Sequence, residues 1–421
     1  IKKVWSYMKI ITLDEISFDK FANTHKYRNY YQTSTYGRTI KNHGYDIHYI
    51  GIIDDLGNLL GASLLLYKEV MMNYKIAYAP RGFLFDYTNI NNLKEFTTRL
   101  KKLLSKQGFI SITIDPYLPV NIRDKDGKIM NINNEANIAL ENLKASGYNY
   151  LGPNLFFESK KPRFEAIITL NDDIKDIYQS FEKRVRHKIK KAIRSGVEIY
   201  KGGKEELNLF YELIKKKYDK PLNYYIDFYN NFENNIDLYF AKLNTETFVI
   251  TSRLQYEREI EINNELANKI QSSKNENAKK KLINEKMESD KLVNTYKKNL
   301  VWATNLLKEN PNGLIIGTSL NLTYDNVCYL IIEGFNQSFK TLNPNYLIKW
   351  KMVNDYKNKN VKYINLNAVS GDFTNINKYS GLNEMKLGFN SLVTEYIGEF
   401  ELIISPLPYN LYKNLNKEKK K

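Results

Sequence analysis

The sequence predicts an α+β fold of two sheet-and-helix domains, with a projecting helical hairpin inserted into the second. Three observations carry this. At 421 residues the chain is too long for one ordinary core. In both halves, short apolar runs bounded by Gly, Pro and Asn alternate with segments whose apolar residues recur every three or four positions. Between Thr251 and Glu309 the β character disappears, and Glu and Lys outnumber what a globular core tolerates. The expected units are a first domain over 8–160, a second over 161–250 and 311–400, the arm over 251–310, and a C-terminal strand with a basic tail over 401–421.

Met8 opens a segment that reads as a natural start, so residues 1–7 are left out of the fold reading. Ile10 and Ile11 begin a short strand, and Ile16 to Ala22 a helix. Ile47–Ile53 and Leu59–Tyr67 read as a hairpin, because Gly57 and Asn58 accept positive φ in the turn between them. Tyr78-Ala79-Pro80-Arg81-Gly82-Phe83-Leu84-Phe85-Asp86-Tyr87 follows. Its proline fixes φ, its glycine permits close backbone approach, and its Arg and Asp flank an apolar step, which suits a loop that positions charges. A helix over Leu93–Gln107 stops at Gly108, a strand over Phe109–Ile114 stops at Asp115-Pro116, and Asn137–Ser146 is helical.

The second half opens with a strand over Pro162–Leu170. A single helix is expected over Tyr178–Gly196, with Phe181, Val185, Ile189, Ala192 and Ile193 on its apolar face and seven Lys/Arg between Lys183 and Arg194. Strands at Leu238–Leu243 and Leu314–Leu322 bracket the arm. Its two helices carry Leu254, Ile260, Ile262, Leu266 and Ile270, and then Leu282, Leu292, Val293, Tyr296, Leu300 and Leu307, with the turn at Gln271–Asn275. The last segment reads strand (Tyr329–Ile332), amphipathic helix (Leu347, Trp350, Met352, Val353, Tyr356), strand (Tyr363–Leu366). A Gly-punctuated loop, Lys386 in an otherwise apolar turn, and a strand at Val393–Ile397 complete it.

The net charge of +16 favours polyanions or anionic headgroups. The basic face at Lys183–Arg194 localises that preference to an anion site for nucleic-acid or diphospho-lipid phosphates, and the tail at Lys417–Lys421 reads as a frayed solvated end. One cysteine, Cys328, lies beside an apolar strand and reads as a buried core residue. No apolar run of membrane-spanning length and no signal-peptide core occur. Phosphate-binding glycine loops, nucleophile elbows and zinc-ligand spacings are missing too, so metal-independent group transfer is the chemistry expected.

Several of these stretches together resemble the Fem (FemABX) family of peptidoglycan interpeptide-bridge aminoacyltransferases, in the subgroup with a coiled-coil arm. They are Gln32 with Tyr36-Gly37-Arg38, the Tyr78 to Tyr87 loop, Arg186 with Ile189 and Ala192 before Gly196-Val197, Tyr346-Leu347 with Trp350, Ser370-Gly371-Asp372, Gly381-Leu382 with Lys386, and Glu395-Tyr396-Ile397-Gly398-Glu399. Phe83 stands where the family usually has proline, and Met385 where it usually has an aromatic residue. The resemblance implies two GNAT-like (acyl-CoA N-acyltransferase-like) domains. It implies an aminoacyl-tRNA donor as co-substrate with no other cofactor and no metal, and as acceptor the stem-peptide amine of lipid II or its UDP-linked precursor. A cytoplasmic site at the inner face of the membrane is implied, with transient contact to that surface and with related Fem-type proteins as partners.

For individual residues it implies Lys386 as the cation beside the reacting ester, either Asp86 or the ribose hydroxyl as the group that takes or orients the amine proton, and Tyr78 with Asp86 facing the acceptor peptide. Arg81 would brace the loop, and Arg38 and Arg186 would meet acceptor phosphates. The arm is left between tRNA contact and a protein contact. Two other readings stay open: an N-acyltransferase of the same fold with an acyl-CoA donor, for which no glycine-rich pyrophosphate turn is found, and a non-catalytic RNA- or lipid-binding protein.

Overall fold

A computed structural model describes residues 8–374 and 376–418. Its elements in chain order are β1 (Lys9–Thr12), α1 (Glu15–Ala22), α2 (Ser34–Lys41), β2 (Asp46–Ile53), β3 (Leu59–Met71), β4 (Tyr74–Ala79), α3 (Ile90–Lys106), β5 (Phe109–Ile114), β6 (Pro119–Arg123), β7 (Ile129–Ile132), α4 (Asn134–Ala145) and β8 (Asn149–Tyr150). The second half continues with β9 (Phe164–Thr169), α5 (Ile174–Ser180), α6 (Lys183–Arg194), β10 (Val197–Gly202), α7 (Leu207–Ile214), α8 (Leu222–Asn231), β11 (Ile236–Leu243), α9 (Thr245–Ser272) and α10 (Glu276–Glu309). Last come β12 (Leu314–Tyr324), β13 (Val327–Phe335), α11 (Pro344–Asn358), β14 (Tyr363–Ala368), α12 (Ser380–Leu387), β15 (Leu392–Tyr396), β16 (Phe400–Ile403) and α13 (Pro406–Glu418). Asp14, Thr33, Asn89, Asn133, Asn244 and Asn275 cap six of the helices by accepting backbone N–H groups in the first turn.

The strands form a seven-stranded sheet, β1-β2-β3-β4-β5-β16-β8, and a nine-stranded sheet, β10-β11-β12-β13-β14-β9-β15-β6-β7. Each contains the same unit: one strand, two helices, a three-stranded antiparallel meander, a helical crossover, then a parallel strand. In the first sheet the crossover α3 joins the parallel pair β4 and β5; in the second, α11 joins β13 and β14. The arm occupies the β11–β12 connection, the position that the Asp54–Asn58 turn holds between β2 and β3. This internal repeat is a matter of topology and is not visible in the residues themselves.

The boundaries expected at 160 and 400 cut across both sheets. The hairpin β6–β7 from the first half forms the far edge of the second sheet, paired through β15, and β16 from the chain end pairs with β5 in the first. Strand pairing is set by backbone partners, which sequence proximity does not reveal. The cores follow the same logic. One runs from the first sheet through α7 and α8 onto Leu238, Phe240, Leu320 and Leu322, while the other lies under α5, α6 and α11 on the opposite face of the second sheet.

Two helical expectations change. The basic segment is two helices, because Phe181 leaves helical geometry (φ −63°, ψ 146°) to bury its ring against Trp350 and Phe389, at centroid distances of 5.9 and 5.0 Å. Ile193, assigned to the apolar face, is 53% exposed. The arm begins at Thr245, six residues before the expected Thr251, since Phe248 and Val249 anchor it in the second core together with Trp302. Its α9 spans about 42 Å at 1.5 Å per residue. Leu254, Ile262 and Leu292 face solvent, and part of the seam is polar, with Ser289 donating to Glu259 at 2.7 Å. Cys328 is buried as expected. Residues 419–421 of the basic tail lie outside the described residues.

Candidate functional site

The Arg81 loop is assembled by polar side chains aimed at backbone. Arg81 has φ +52°, its amide donates to Asp115 Oδ1 at 2.7 Å, and Tyr78 donates its hydroxyl to Asp115 Oδ2 at 2.9 Å. Gln32 donates to the Pro80 carbonyl at 2.8 Å and accepts from the Leu64 amide at 2.8 Å, tying the loop to β3. A side chain at position 82 would place its Cβ 2.8 Å from Gln32 Nε2 and 3.0 Å from Ser63 Oγ, so glycine is needed there.

The Arg81 guanidinium crosses to the second half of the chain. Its Nη2 donates to Glu165 Oε1 at 2.6 Å and to the Pro162 carbonyl at 2.8 Å, and its plane lies over the rings of Tyr396 (4.4 Å) and Tyr117 (5.7 Å). Glu165 Oε2 accepts from Asn365 at 2.6 Å and from the Tyr396 hydroxyl at 3.1 Å. Arg81 and Glu165 are both buried. A narrow cleft with about 10 Å³ of open space, room for roughly one water, lies on this cluster, lined in part by Asn29, Tyr31, Tyr117, Glu165 and Asn365. A wider apolar groove of about 410 Å³ meets it at Tyr117 and runs over the face of the second sheet past Ile167, Leu392 and Thr394. Burial pushes the Asp115 carboxyl up to about 6 even though Arg81 opposes the shift.

Lys386 sits on α12 with 6% of its surface exposed and donates to the Ala368 carbonyl at 2.7 Å. Burial brings its amine down to about 7; Glu333 resists this, and Lys349 and Lys217 add to it. Glu333 is ion-paired with the fully buried Lys349 side chain. Glu165 favours the charged form of Arg81 strongly and, after Glu333, that of Lys386.

The other expected site residues engage their own elements. Asp86 is exposed and accepts from the Thr88 amide (2.9 Å) and hydroxyl (2.7 Å). Arg38 pairs with Glu15 at 2.5 Å and donates to Ser34 and Thr35. Arg186 donates to the Gln179 carbonyl and, at 2.5 Å, to that of Phe181, bracing the break between α5 and α6. The structure therefore brings Tyr78 and Arg81 together around Asp115, while Lys386 is held on α12 by the Ala368 carbonyl. It adds Asp115, Glu165, Asn365, Tyr117 and Tyr396, which the sequence reading missed as site residues. Glu165 carried a usable signal, a charged residue inside the apolar strand PRFEAIITL. Among the described residues, no three His, Cys, Asp or Glu side chains are grouped to hold a metal ion, and no helix is long and apolar enough to cross a membrane.

The chain is 24% identical over 421 residues to the aminoacyltransferase FemA of Staphylococcus epidermidis, covering 98% of this chain and 100% of that protein. It is 24% identical over 420 residues to the aminoacyltransferase FemA of Staphylococcus aureus, covering 98% and 99%. Among solved structures, the crystal structure of FemX superposes with a TM-score of 0.70 at 22% identity, covering 96% of this chain and 99% of that one, which shows a common fold. The model of the FemAB family matches residues 13–417, and the chain belongs to that family.

Proposed function

We propose that this FemAB-family aminoacyltransferase moves an amino acid from aminoacyl-tRNA to the stem-peptide amine of lipid II, or of its UDP-linked precursor, in cross-bridge synthesis. The observation that carries the reading is the buried Arg81–Glu165 pair, which joins the two halves of the chain beside a cleft lined by Glu165, Tyr117 and Asn365. In the reaction the acceptor nitrogen attacks the ester carbonyl carbon, the bond to the ribose oxygen breaks as the amide forms, and the amine proton passes to the departing ribose oxygen. The chain has to orient amine and ester and to stabilise the carbonyl oxygen as charge builds on it. Lys386 supplies the cation for that oxygen. Tyr78, held by Asp115, lines the acceptor side together with Arg81, and Asp86 meets the peptide farther out along the loop. Arg38 and Arg186 would reach acceptor phosphates only by exchanging their present partners. No cofactor enters this scheme.

Donor RNA is assigned to the outward face of α6, where Lys183, Lys190, Lys191 and Arg194 are exposed. The arm is a weaker candidate, since residues 245–309 hold twelve Lys/Arg against ten Asp/Glu and contribute little of the net +16. Its partner is then a protein, with a related Fem-type chain as the first to test. The same basic face would allow transient contact with an anionic inner-membrane surface. Reversing Lys190 and Lys191 to Glu is expected to weaken tRNA binding and to flatten its log–log salt dependence by roughly one unit per lost phosphate contact, read by filter binding across a salt series. An unchanged slope would remove α6 from the RNA face.

The test of the function is transfer of radiolabel from a charged tRNA pool to lipid II or to UDP-linked muramyl pentapeptide by the purified protein. Label that reaches either acceptor only with intact charged tRNA supports the reading and identifies the amino acid. No transfer to either acceptor, with tRNA still bound, would favour a binding protein.

A further inference from the structure

Three lysines at the domain junction stand over tyrosine rings, and two of them, Lys161 and Lys220, do so with no carboxylate partner among the described residues. Lys161 Nζ lies 3.9 Å from the Tyr31 ring centroid, Lys160 Nζ 4.9 Å from Tyr78, and Lys220 Nζ 5.6 Å from Tyr224. Lys160 also reaches Glu399 at 3.6 Å. Among the described residues Lys161 and Lys220 make no ion pair, while Arg81 beside them is already matched by Glu165. Burial and the nearby Arg81 and Lys220 bring the Lys161 amine down to about 8, with Asp115 and Glu165 opposing. A partly desolvated ammonium with a ring quadrupole as its direct contact, and with Asp115 and Glu165 acting only from a distance, lacks a hydrogen-bonded counter-charge that an oxyanion of a ligand would supply.

Two orphaned atoms at the same place describe the rest of that ligand. Asn29 is 1% exposed and lines the cleft, and its Oδ1 has no donor; Arg81 is 2% exposed, and its Nε has no acceptor. A ligand with an N–H donor and an acceptor close to an anionic group matches these atoms, which is the composition of a peptide near its carboxylate or of a peptide on a diphosphate carrier.

We infer that Lys161, with Lys220 beside it, forms an anion-recognition site at the mouth of the Tyr31 cleft. It takes an oxyanion of the acceptor, either the terminal carboxylate of the stem peptide or the diphosphate of its carrier. The inference rests on the acceptor reading above. It differs from the expectation for Arg38 and Arg186, whose guanidinium groups are occupied by Glu15 and by backbone carbonyls.

The experiment measures binding by calorimetry of three probes to the full chain: a stem pentapeptide with a free carboxyl terminus, the same peptide as its terminal amide, and inorganic pyrophosphate. Wild type is expected to bind the free acid or pyrophosphate, and Lys161→Met to lose about tenfold in that affinity, while Lys161→Arg retains it. Preference for the acid over the amide assigns the carboxylate; equal acid and amide affinity with pyrophosphate binding assigns the diphosphate. Either result upholds the site even when no aminoacyl transfer is found, which separates it from the function proposed above. Unchanged affinities in a Lys161→Met protein with a wild-type melting curve, or no binding of any probe by wild type, would overturn it.

Discussion

Lys386→Ala is expected to lower kcat/KM for transfer by about 100-fold or more while leaving tRNA affinity close to wild type, because the side chain stabilises charge that develops in the reaction rather than binding the RNA. Its surroundings make the loss depend on pH. With its amine at about 7, Lys386 is a cation below that pH and neutral above it. Transfer that needs the cation therefore falls as pH rises through about 7, and Lys386→Arg removes that limb because guanidinium stays charged. Stability moves the other way. The native pKa lies below the ordinary 10.5, so between about 7 and 10.5 the unfolded chain binds more protons than the native one, and this residue's contribution to stability rises with pH across that interval. Urea unfolding of wild type and Lys386→Met from pH 7 to pH 10 checks this, with a flatter profile expected for the variant. Wild-type transfer in Lys386→Ala would remove the residue from the chemistry.

Glu165→Gln is expected to destabilise the protein by about 3–5 kcal/mol, since it leaves the Arg81 guanidinium buried without its counter-charge. Glu165 also accepts from Asn365 on β14 and Tyr396 on β15, so two elements of the second half lose part of a shared acceptor. The double variant Arg81→Met/Glu165→Leu is expected to recover part of the loss, because the buried ion pair is then removed whole and Asp115, already pushed up to about 6, can take a proton. Chemical denaturation of the two variants and wild type measures both terms. A loss under 1 kcal/mol for Glu165→Gln would mean that Arg81 finds another partner or water.

How much the sequence reveals depends on the range of the interaction. Turns, caps and amphipathic stripes are local, so the Asp54–Asn58 hairpin, the helix over Leu93–Gln107 and the inserted hairpin arm could all be read from spacing. The motif residues Tyr78, Arg81 and Lys386 stood out because their neighbours matched a family pattern, and it is the family that the FemAB match over 13–417 bears out. The sequence by itself determined the class of fold, the family, the arm and the basic face of α6. Only the tertiary structure decided that β6–β7 and β16 change sheets, that Phe181 breaks the basic helix, and that Asp115 and Glu165 are the buried carboxylates that hold Arg81. Those outcomes rest on backbone pairing and on charges buried beside residues far away in the chain, as with Arg81 and Glu165. Local composition carries no record of such distances, and a carboxylate that reads as ordinary in its own strand acquires its role from what the fold sets against it.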